Sequence, residues 1–234
     1  MDTVCTVLSV FCGILLFLLT GAILLMLRCG VFRRIFNKIV GRNTVTDWTL
    51  FSWQSSLEKM HTTVDCVFFG DSIVRGGDFQ KAFPKKRILN LGISGNTLKA
   101  LKGRVAMLQA VNPQKVFLLA GINGLKNNSV MLTYKEYESL LSAIRQTVPG
   151  AEIYVHSLLP VSRDVAKKRA NNSAIQALNA LLRVGAETGT YIFVDLYPDY
   201  VLDGELNPAY SVDGIHIKEE AYQHWYRQLE PYLQ

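Results

Sequence analysis

Five short apolar runs, separated by longer and more polar segments, constrain the fold of this 234-residue chain more than any other feature. Their lengths and their content of Val, Ile, Leu and Phe are typical of buried strands. Most of the segments between them carry apolar residues at helical spacing, and strands that alternate with helices form a parallel sheet covered by helices on both faces. We therefore predict an α/β fold. The predicted strands are residues 64–69, 87–91, 115–120, 152–156 and 191–195, and the predicted helices are residues 97–110, 133–147, 170–188 and 218–229.

The first predicted strand ends in the sequence Gly70-Asp71-Ser72. Gly70 permits a tight turn that a side chain would obstruct, and Ser72 follows the carboxyl end of the strand at the start of a predicted helix. Open α/β sheets bind their ligands at this edge. A serine at the start of a helix is also an ordinary N-cap residue. The motif alone therefore favours a capping role for Ser72. Whether Ser72 is instead a functional residue depends on residues further along the chain.

Further polar residues follow other predicted strands at the same edge of the sheet. Gly95 follows the second strand, Asn123 follows the third, and Asp213 and His216 lie just before the last helix. Because the carboxyl ends of parallel strands meet at one edge, we expect these residues to converge on one cleft. Each of them alone is more typical of a turn or a structural position. Their combination at successive strand ends indicates a functional site.

These residue types are the ones that nucleophilic catalysis requires. A serine hydroxyl is a poor nucleophile until a base takes its proton, so we predict Ser72 as the nucleophile and His216 as the base. Asp213 lies three residues before His216 and can accept a hydrogen bond from the other ring nitrogen. An oxyanion needs hydrogen-bond donors. The predicted donors are the backbone N–H groups of Ser72 and Gly95 and the side-chain amide of Asn123.

The four blocks 70–72, 90–97, 120–124 and 213–216 resemble those of the SGNH, or GDSL-type, hydrolase superfamily of esterases and lipases. The resemblance extends over about residues 62–234. It implies a five-stranded, flavodoxin-like sheet in a three-layer sandwich. It also implies the roles already assigned: Ser72 as nucleophile, Asp213 and His216 as the acid–base pair, and Ser72, Gly95 and Asn123 as the oxyanion hole.

Further positions resemble the branch that contains platelet-activating-factor acetylhydrolase catalytic subunits and small bacterial acylhydrolases. These are the Ser-Leu-Leu-Pro sequence at 157–160 and a helix that carries Asn172 and Asn179. One departure concerns the third block, where Gly124 occupies a position at which the superfamily usually has aspartate. The sequence therefore does not determine the shape of that loop. An ordinary α/β-hydrolase fits poorly, because its Gly-x-Ser-x-Gly motif would need glycine where Val74 stands.

The amino-terminal region predicts a membrane anchor. Residues 4–27 contain no charged side chain and are long enough to cross a bilayer as a helix. A cleaved signal peptide would have a basic start and a small-x-small cleavage site, and neither is present. We predict a transmembrane anchor at 1–30, a juxtamembrane amphipathic segment and connector at 31–61, and the hydrolase domain at 62–234. The amphipathic part of the connector would lie at the membrane interface or pack on the domain.

The charge distribution bears on location and partners. Five of the 25 basic residues and one of the 19 acidic residues lie within 1–42, so the remainder is close to balanced. Nucleic-acid binding gains no support from such a surface. The positive flank follows the predicted span, which favours the cytoplasmic side for the domain, although an extracytoplasmic domain is left open.

These observations predict a single-pass, membrane-anchored serine esterase or acylhydrolase. Its partner would be an acyl-ester substrate, either a lipid or an O-acetylated glycan, cleaved through an acyl-enzyme on Ser72. The resemblance implies no cofactor, and the histidines His61, His156 and His224 lack the spacing of metal ligands. Two alternatives remain: an acyltransferase that uses the same residues, and a non-catalytic, membrane-tethered binding module.

Overall fold

The structure, a computed structural model, describes residues 63–167 and 170–233. The predicted span and the juxtamembrane segment lie outside these residues. Five parallel strands form one sheet in the order β2-β1-β3-β4-β5, which is the flavodoxin-like order. The predicted α/β fold with its parallel sheet is confirmed. The strands are β1 (Cys66–Gly70), β2 (Ile88–Gly92), β3 (Lys115–Leu119), β4 (Glu152–His156) and β5 (Ile192–Val194), and a small antiparallel pair comprises β6 (Val201–Leu202) and β7 (Glu205–Leu206).

The helices include three of the four predicted ones and several short ones that follow strand ends. Within the described ranges they are α1 (Ser72–Arg75), α2 (Phe79–Ala82), α3 (Leu98–Lys102), α4 (Ala106–Val111), α5 (Ile122–Leu125), α6 (Val130–Thr147), α7 (Arg163–Ala166), α8 (Asn172–Ala186), α9 (Tyr197–Tyr200) and α10 (Glu219–Leu229), with 3₁₀ turns at Pro208–Tyr210 and Glu230–Tyr232. No helix among these residues is both long and apolar enough to cross a bilayer.

One predicted helix is wrong. The segment 97–110 forms two helices, α3 and α4, rather than one. Gly103 ends α3, and the following backbone bonds, from Arg104 N–H to Leu101 and from Val105 N–H to Lys102, are tighter turn bonds. Glycine has a low helix propensity, and the break turns the side chain of Arg104 into the interior, where it is only 4% exposed.

The sheet is buried on both faces, which gives three layers. Successive side chains of a strand point to opposite faces. In β1, Val67 and Phe69 join the core beneath α3, α4, α6 and α8. Phe68 joins a second core that includes Phe79 of α2 and Trp225 of α10. Because helices cover both faces of the sheet, a ligand-binding site is expected at the carboxyl ends of the strands.

Candidate active site

The sharp turn after β1 places Ser72 at the carboxyl edge of the sheet. A Cβ atom on Gly70 would lie 2.2 Å from the carbonyl oxygen of Leu119, so no side chain fits there. Asp71, and not Ser72, caps α1, because its Oδ1 accepts a hydrogen bond from the Ile73 N–H at 3.0 Å. The capping interpretation of Ser72 is therefore wrong. Its hydroxyl is available for another contact.

Two side chains from other elements hold α1 in place. Asn90 of β2 donates from Nδ2 to the carbonyl oxygens of Val74 and Gly77, at 2.7 and 2.8 Å. The hydroxyl of Tyr222 in α10 donates to the Ile73 carbonyl at 2.6 Å. These bonds satisfy two carbonyl groups of a four-residue helix that is too short to be stable alone, and one carbonyl of the turn that follows it. The backbone that carries the serine is therefore fixed by the sheet and by α10.

Ser72, His216 and Asp213 form one hydrogen-bonded chain. His216 Nε2 lies 2.9 Å from Ser72 Oγ, across 144 positions of sequence. His216 Nδ1 lies 2.6 Å from Asp213 Oδ2. With the Nδ1 proton donated to the carboxylate, Nε2 is left to accept the proton of the serine hydroxyl. The predicted contacts among these three side chains are present.

The charge of Asp213 is stabilised by its own loop. Its Oδ1 accepts hydrogen bonds from the backbone N–H groups of Ile215 and His216, at 3.1 and 2.8 Å. Partial burial raises the pKa of the Asp213 carboxyl. The hydrogen bonds from the His216 side chain and from the two N–H groups outweigh that effect and lower this pKa to about 2. Asp213 is thus ionised at neutral pH beside the imidazole.

The loop with Asp213 and His216 is docked on the segment that follows β4. Gly214 has φ +78°, and its carbonyl accepts from the Ser162 N–H at 2.9 Å. A Cβ atom at Gly214 would lie 2.1 Å from the Ser162 hydroxyl. The Ser211 hydroxyl accepts from the Gly214 N–H and donates to the His216 carbonyl, at 2.9 and 2.6 Å. Neither serine was singled out from the sequence, because both lie in stretches rich in turn residues.

Two asparagines of α8 fix the segment on which this loop docks. Asn179 exchanges hydrogen bonds with both the N–H and the C=O of Leu158, at 2.8 and 2.9 Å. Asn172 does the same with Val161, at 2.8 Å for each bond. An amide side chain that pairs with both groups of one residue acts like an added strand. The helix that the resemblance singled out therefore supports the site without contacting the serine.

The predicted oxyanion residues lie on loops that are bonded to the serine turn and to each other. Gly95 is exposed, has φ +78°, and has open space where a Cβ atom would be. Asn123, in the first turn of α5, donates from Nδ2 to the Asn96 carbonyl at 3.0 Å. Gly124 is buried, and its N–H bonds to the Gly121 carbonyl at 2.9 Å. That loop thus closes as a short helix without the usual aspartate.

Three buried polar groups near the site gave no clear signal in the sequence. Asp71 is 0% exposed, and complete burial raises the pKa of its carboxyl to about 7, against the opposing influence of the Ile73 N–H and of His216. Arg104 is also buried. His156, which ends β4 at the active edge, is enclosed in the core and accepts from Trp225 Nε1 at 3.3 Å. Because it is fully buried, His156 is not a substrate contact in this structure.

Comparison with known proteins places the chain among esterases. The family model of the GDSL-like lipase/acylhydrolase family matches residues 68–224, and no curated protein matches significantly. A Streptococcus pneumonia structure assigned as a platelet activating factor is 26% identical, with a TM-score of 0.68 over 78% of this chain and 92% of that one.

Two further solved structures share the fold. A GDSL-like lipase from Bacteroides thetaiotaomicron is 21% identical, with a TM-score of 0.70 over 79% of this chain and 96% of that one. A variant of a Geobacillus acetyl-xylooligosaccharide esterase is 21% identical, with a TM-score of 0.57 over 75% and 96%. The resemblance noted in the sequence is thereby confirmed. This chain belongs to the GDSL-like lipase/acylhydrolase family and is a carboxylic-ester hydrolase of that type.

Proposed function

We propose that the chain is a membrane-anchored serine esterase that forms an acyl-enzyme on Ser72. The observation that carries this proposal is the continuous chain of hydrogen bonds from Ser72 Oγ through the His216 ring to Asp213. Nucleophile, base and orienting carboxylate stand in the order that serine hydrolysis requires. Since the chain belongs to an ester-hydrolysing family, the carbonyl of a carboxylic ester is the electrophile that this arrangement suits.

The reaction follows from the positions of the three side chains. Ser72 Oγ attacks the ester carbonyl while its proton passes to His216 Nε2. The resulting imidazolium is stabilised by ionised Asp213. The oxyanion is stabilised by the N–H groups of Ser72 and Gly95 and by the amide of Asn123. Collapse releases the alcohol, which takes the proton from Nε2. Water then attacks the acyl-enzyme with the same base and releases the acid.

A covalent probe tests the nucleophile directly. Full-length protein in detergent is treated with a fluorophosphonate probe and assayed with p-nitrophenyl acetate. We expect Ser72→Ala to abolish labelling and to reduce kcat by at least about 10³-fold. Ser142→Ala, on α6 and outside the site, serves as the matched control and should behave as wild type. Labelling that persists in Ser72→Ala would assign the nucleophile to another residue.

A groove beside the acid–base loop is the proposed position of the alcohol portion of the substrate. Its volume is about 490 Å³, and Asp213 and Gly214 form part of its wall. The exposed side chains of Leu202 and Val212 line it together with the carboxylate of Asp203. Carboxylate oxygens accept hydrogen bonds from hydroxyl groups and repel anions. We therefore propose a neutral, hydroxyl-bearing alcohol, which an O-acetylated glycan supplies, in preference to an anionic lipid.

A panel of esters tests the substrate class. Acetylated xylooligosaccharide, lysophosphatidylcholine and an anionic lysophospholipid are compared by kcat/KM, alongside p-nitrophenyl esters of increasing chain length. We expect the acetylated sugar to be cleaved best and the anionic lipid worst. Asp203→Asn, in the groove wall, should reduce the difference in kcat/KM between the acetylated sugar and the anionic lipid, because it removes one negative charge. A preference for the anionic lipid would contradict the proposed substrate class.

The membrane anchor is the second part of the proposal. It is supported by the uncharged stretch 4–27, which has the length of a bilayer-spanning helix. We expect full-length protein to remain in the membrane after alkaline carbonate extraction. Deletion of 1–30 should release it. The basic residues after the span favour a cytoplasmic domain, so protease added to intact cells should leave the domain uncut. Digestion from outside would reverse the orientation.

A further inference from the structure

Arg104 is a buried cation that lies under the loops of the site. Its guanidinium stacks on the Phe69 ring at 4.3 Å from the ring centre. Among the described residues it forms no ion pair with a carboxylate, and its Nη1 has no hydrogen-bond partner. Burial lowers the pKa of this guanidinium to about 9. A buried cation without a counter-charge is costly, so packing alone does not explain why an arginine stands here.

Both hydrogen bonds from the Arg104 side chain end on loops that form the site. Nη2 donates to the Gly70 carbonyl at 3.0 Å, directly before Asp71 and Ser72 in the chain. Nε donates to Asn96 Oδ1 at 2.8 Å, directly after Gly95. One planar guanidinium therefore connects the backbone of the serine turn to the loop with the proposed oxyanion glycine. A guanidinium holds such paired donors in a fixed geometry.

The loop that Arg104 holds is a tight turn. The Asn96 N–H bonds to the Ile93 carbonyl at 3.2 Å, and Gly95 has φ +78° at the third position of this turn. That geometry is typical of a type II turn, which favours glycine there. The turn has two further ties: the Ile93 N–H donates to the Gly70 carbonyl, and the Asn123 amide donates to the Asn96 carbonyl, both at 3.0 Å.

We propose that Arg104 is a positioning residue for the oxyanion hole, acting through Asn96 to hold the Gly95 N–H at a fixed distance from Ser72. This inference rests on the proposed function, since it presumes an oxyanion hole at Gly95. Oxyanion donors act only when they are fixed in place before charge develops. A displacement of about 1 Å costs on the order of 10²-fold in rate. Loss of the hydrogen bonds from Arg104 should therefore reduce the rate of the chemical step and leave substrate binding in the ground state unchanged.

The test compares Arg104→Gln, Asn96→Ala and Asn96→Asp in the full-length protein. We expect the first two to lower kcat for p-nitrophenyl acetate by at least about tenfold, with KM within about threefold. Inhibition by a boronic acid, which forms a tetrahedral adduct on the serine, should weaken in parallel with kcat. Asn96→Asp keeps the acceptor oxygen for Arg104, so its kcat should stay close to that of wild type.

Two controls separate positioning from loss of stability. Leu182→Ala removes a fully buried side chain of α8 and should lower Tm with kcat unchanged. If Arg104→Gln does not fold, the two Asn96 variants decide. Equal kcat for Asn96→Ala and Asn96→Asp, or folded Arg104→Gln with kcat within about threefold of wild type, would overturn the proposal. Ser72→Ala is measured in parallel. An active Ser72→Ala would refute the proposed function itself, whatever the Arg104 result.

Discussion

Two aspartates flank the site, one next to Ser72 in the sequence and one hydrogen-bonded to His216, and their environments are opposite. Asp71 precedes the serine and is 0% exposed, whereas the Asp213 side chain is 52% exposed beside the histidine. The pKa of Asp71 is raised by burial to about 7. For Asp213, hydrogen bonds outweigh the effect of burial and lower the pKa to about 2. At pH 7, Asp213 is therefore fully ionised, whereas Asp71 is only partly ionised.

This difference shows how the two halves of the site are built. The serine half is held by the sheet: a strand end, a capped helix and the Asn90 side chain fix it inside the protein. The histidine half is a surface loop held by hydrogen bonds within itself, by the docking contact at Gly214, and by Ile215, which is buried in the core. The buried half fixes position, and the exposed half holds an ionised acid that can stabilise an imidazolium.

The largest effect is expected from the exposed aspartate. Asp213→Asn should lower kcat for p-nitrophenyl acetate by on the order of 10⁴-fold, because an amide favours the wrong tautomer of the imidazole and cannot stabilise its positive charge. Steady-state kinetics at pH 7 measures this. Glu152→Gln is the matched control, since this carboxylate pairs with Lys115 at the amino end of β4, away from the edge that carries the triad. A loss below about tenfold would show that the Asp213 charge is not needed for catalysis.

The docking contact of the exposed half is the next point to test. Gly214→Ala should lower kcat on the order of 10–100-fold, because the new methyl group would overlap the Ser162 hydroxyl and displace the histidine. Gly189→Ala is a close control: Gly189 also has a positive φ, +72°, but it has open space around it. Both variants should lose similar stability through backbone strain. Equal kcat in the two would show that the docking contact does not position His216.

Much of the fold was predictable from the sequence, because strands buried on both faces give unmistakable apolar runs. Ser72 was predictable for a related reason: it follows a strand end, and parallel strand ends share an edge. Asp213 and His216 were predictable from their spacing of three residues just before the last helix. The break at Gly103 was missed, because apolar spacing continues through it while one glycine changes the chain direction. The low helix propensity of that glycine outweighed the periodic apolar pattern.

The residues that support the site were much harder to predict. Arg104 bonds to Gly70 across 34 positions and to Asn96 across eight, and nothing in its neighbouring sequence marks it as buried. Asp71 is adjacent to the serine, yet its burial depends on the packing of helices from distant parts of the chain. Short motifs show which groups can react. The contacts that orient those groups depend on the three-dimensional fold, which a single sequence does not display.

The smallest expected effect concerns the buried aspartate, and it appears in stability more than in activity. The folded-state pKa of Asp71 is about 7, above the value of about 3.9 for an unfolded chain. Between those values the folded state keeps a proton that the unfolded state has lost. The contribution of Asp71 to the free energy of unfolding therefore falls by on the order of 2–4 kcal/mol as pH rises from about 4 to about 7, and then stays low.

Asp71→Asn removes this titration while keeping the oxygen that accepts from Ile73, so kcat should stay within about tenfold of wild type. Urea unfolding of wild type and Asp71→Asn between pH 4 and 8 gives the difference in their free energies of unfolding. The contributions of the other titrating groups, including His156, are common to both proteins and cancel in this difference. We expect this difference to shift in favour of the variant as pH rises through the window, whatever constant offset the buried amide adds at all pH values. A difference independent of pH would mean that Asp71 ionises in the folded state as readily as in the unfolded chain, and the contrast between the two aspartates would then reduce to their exposure alone.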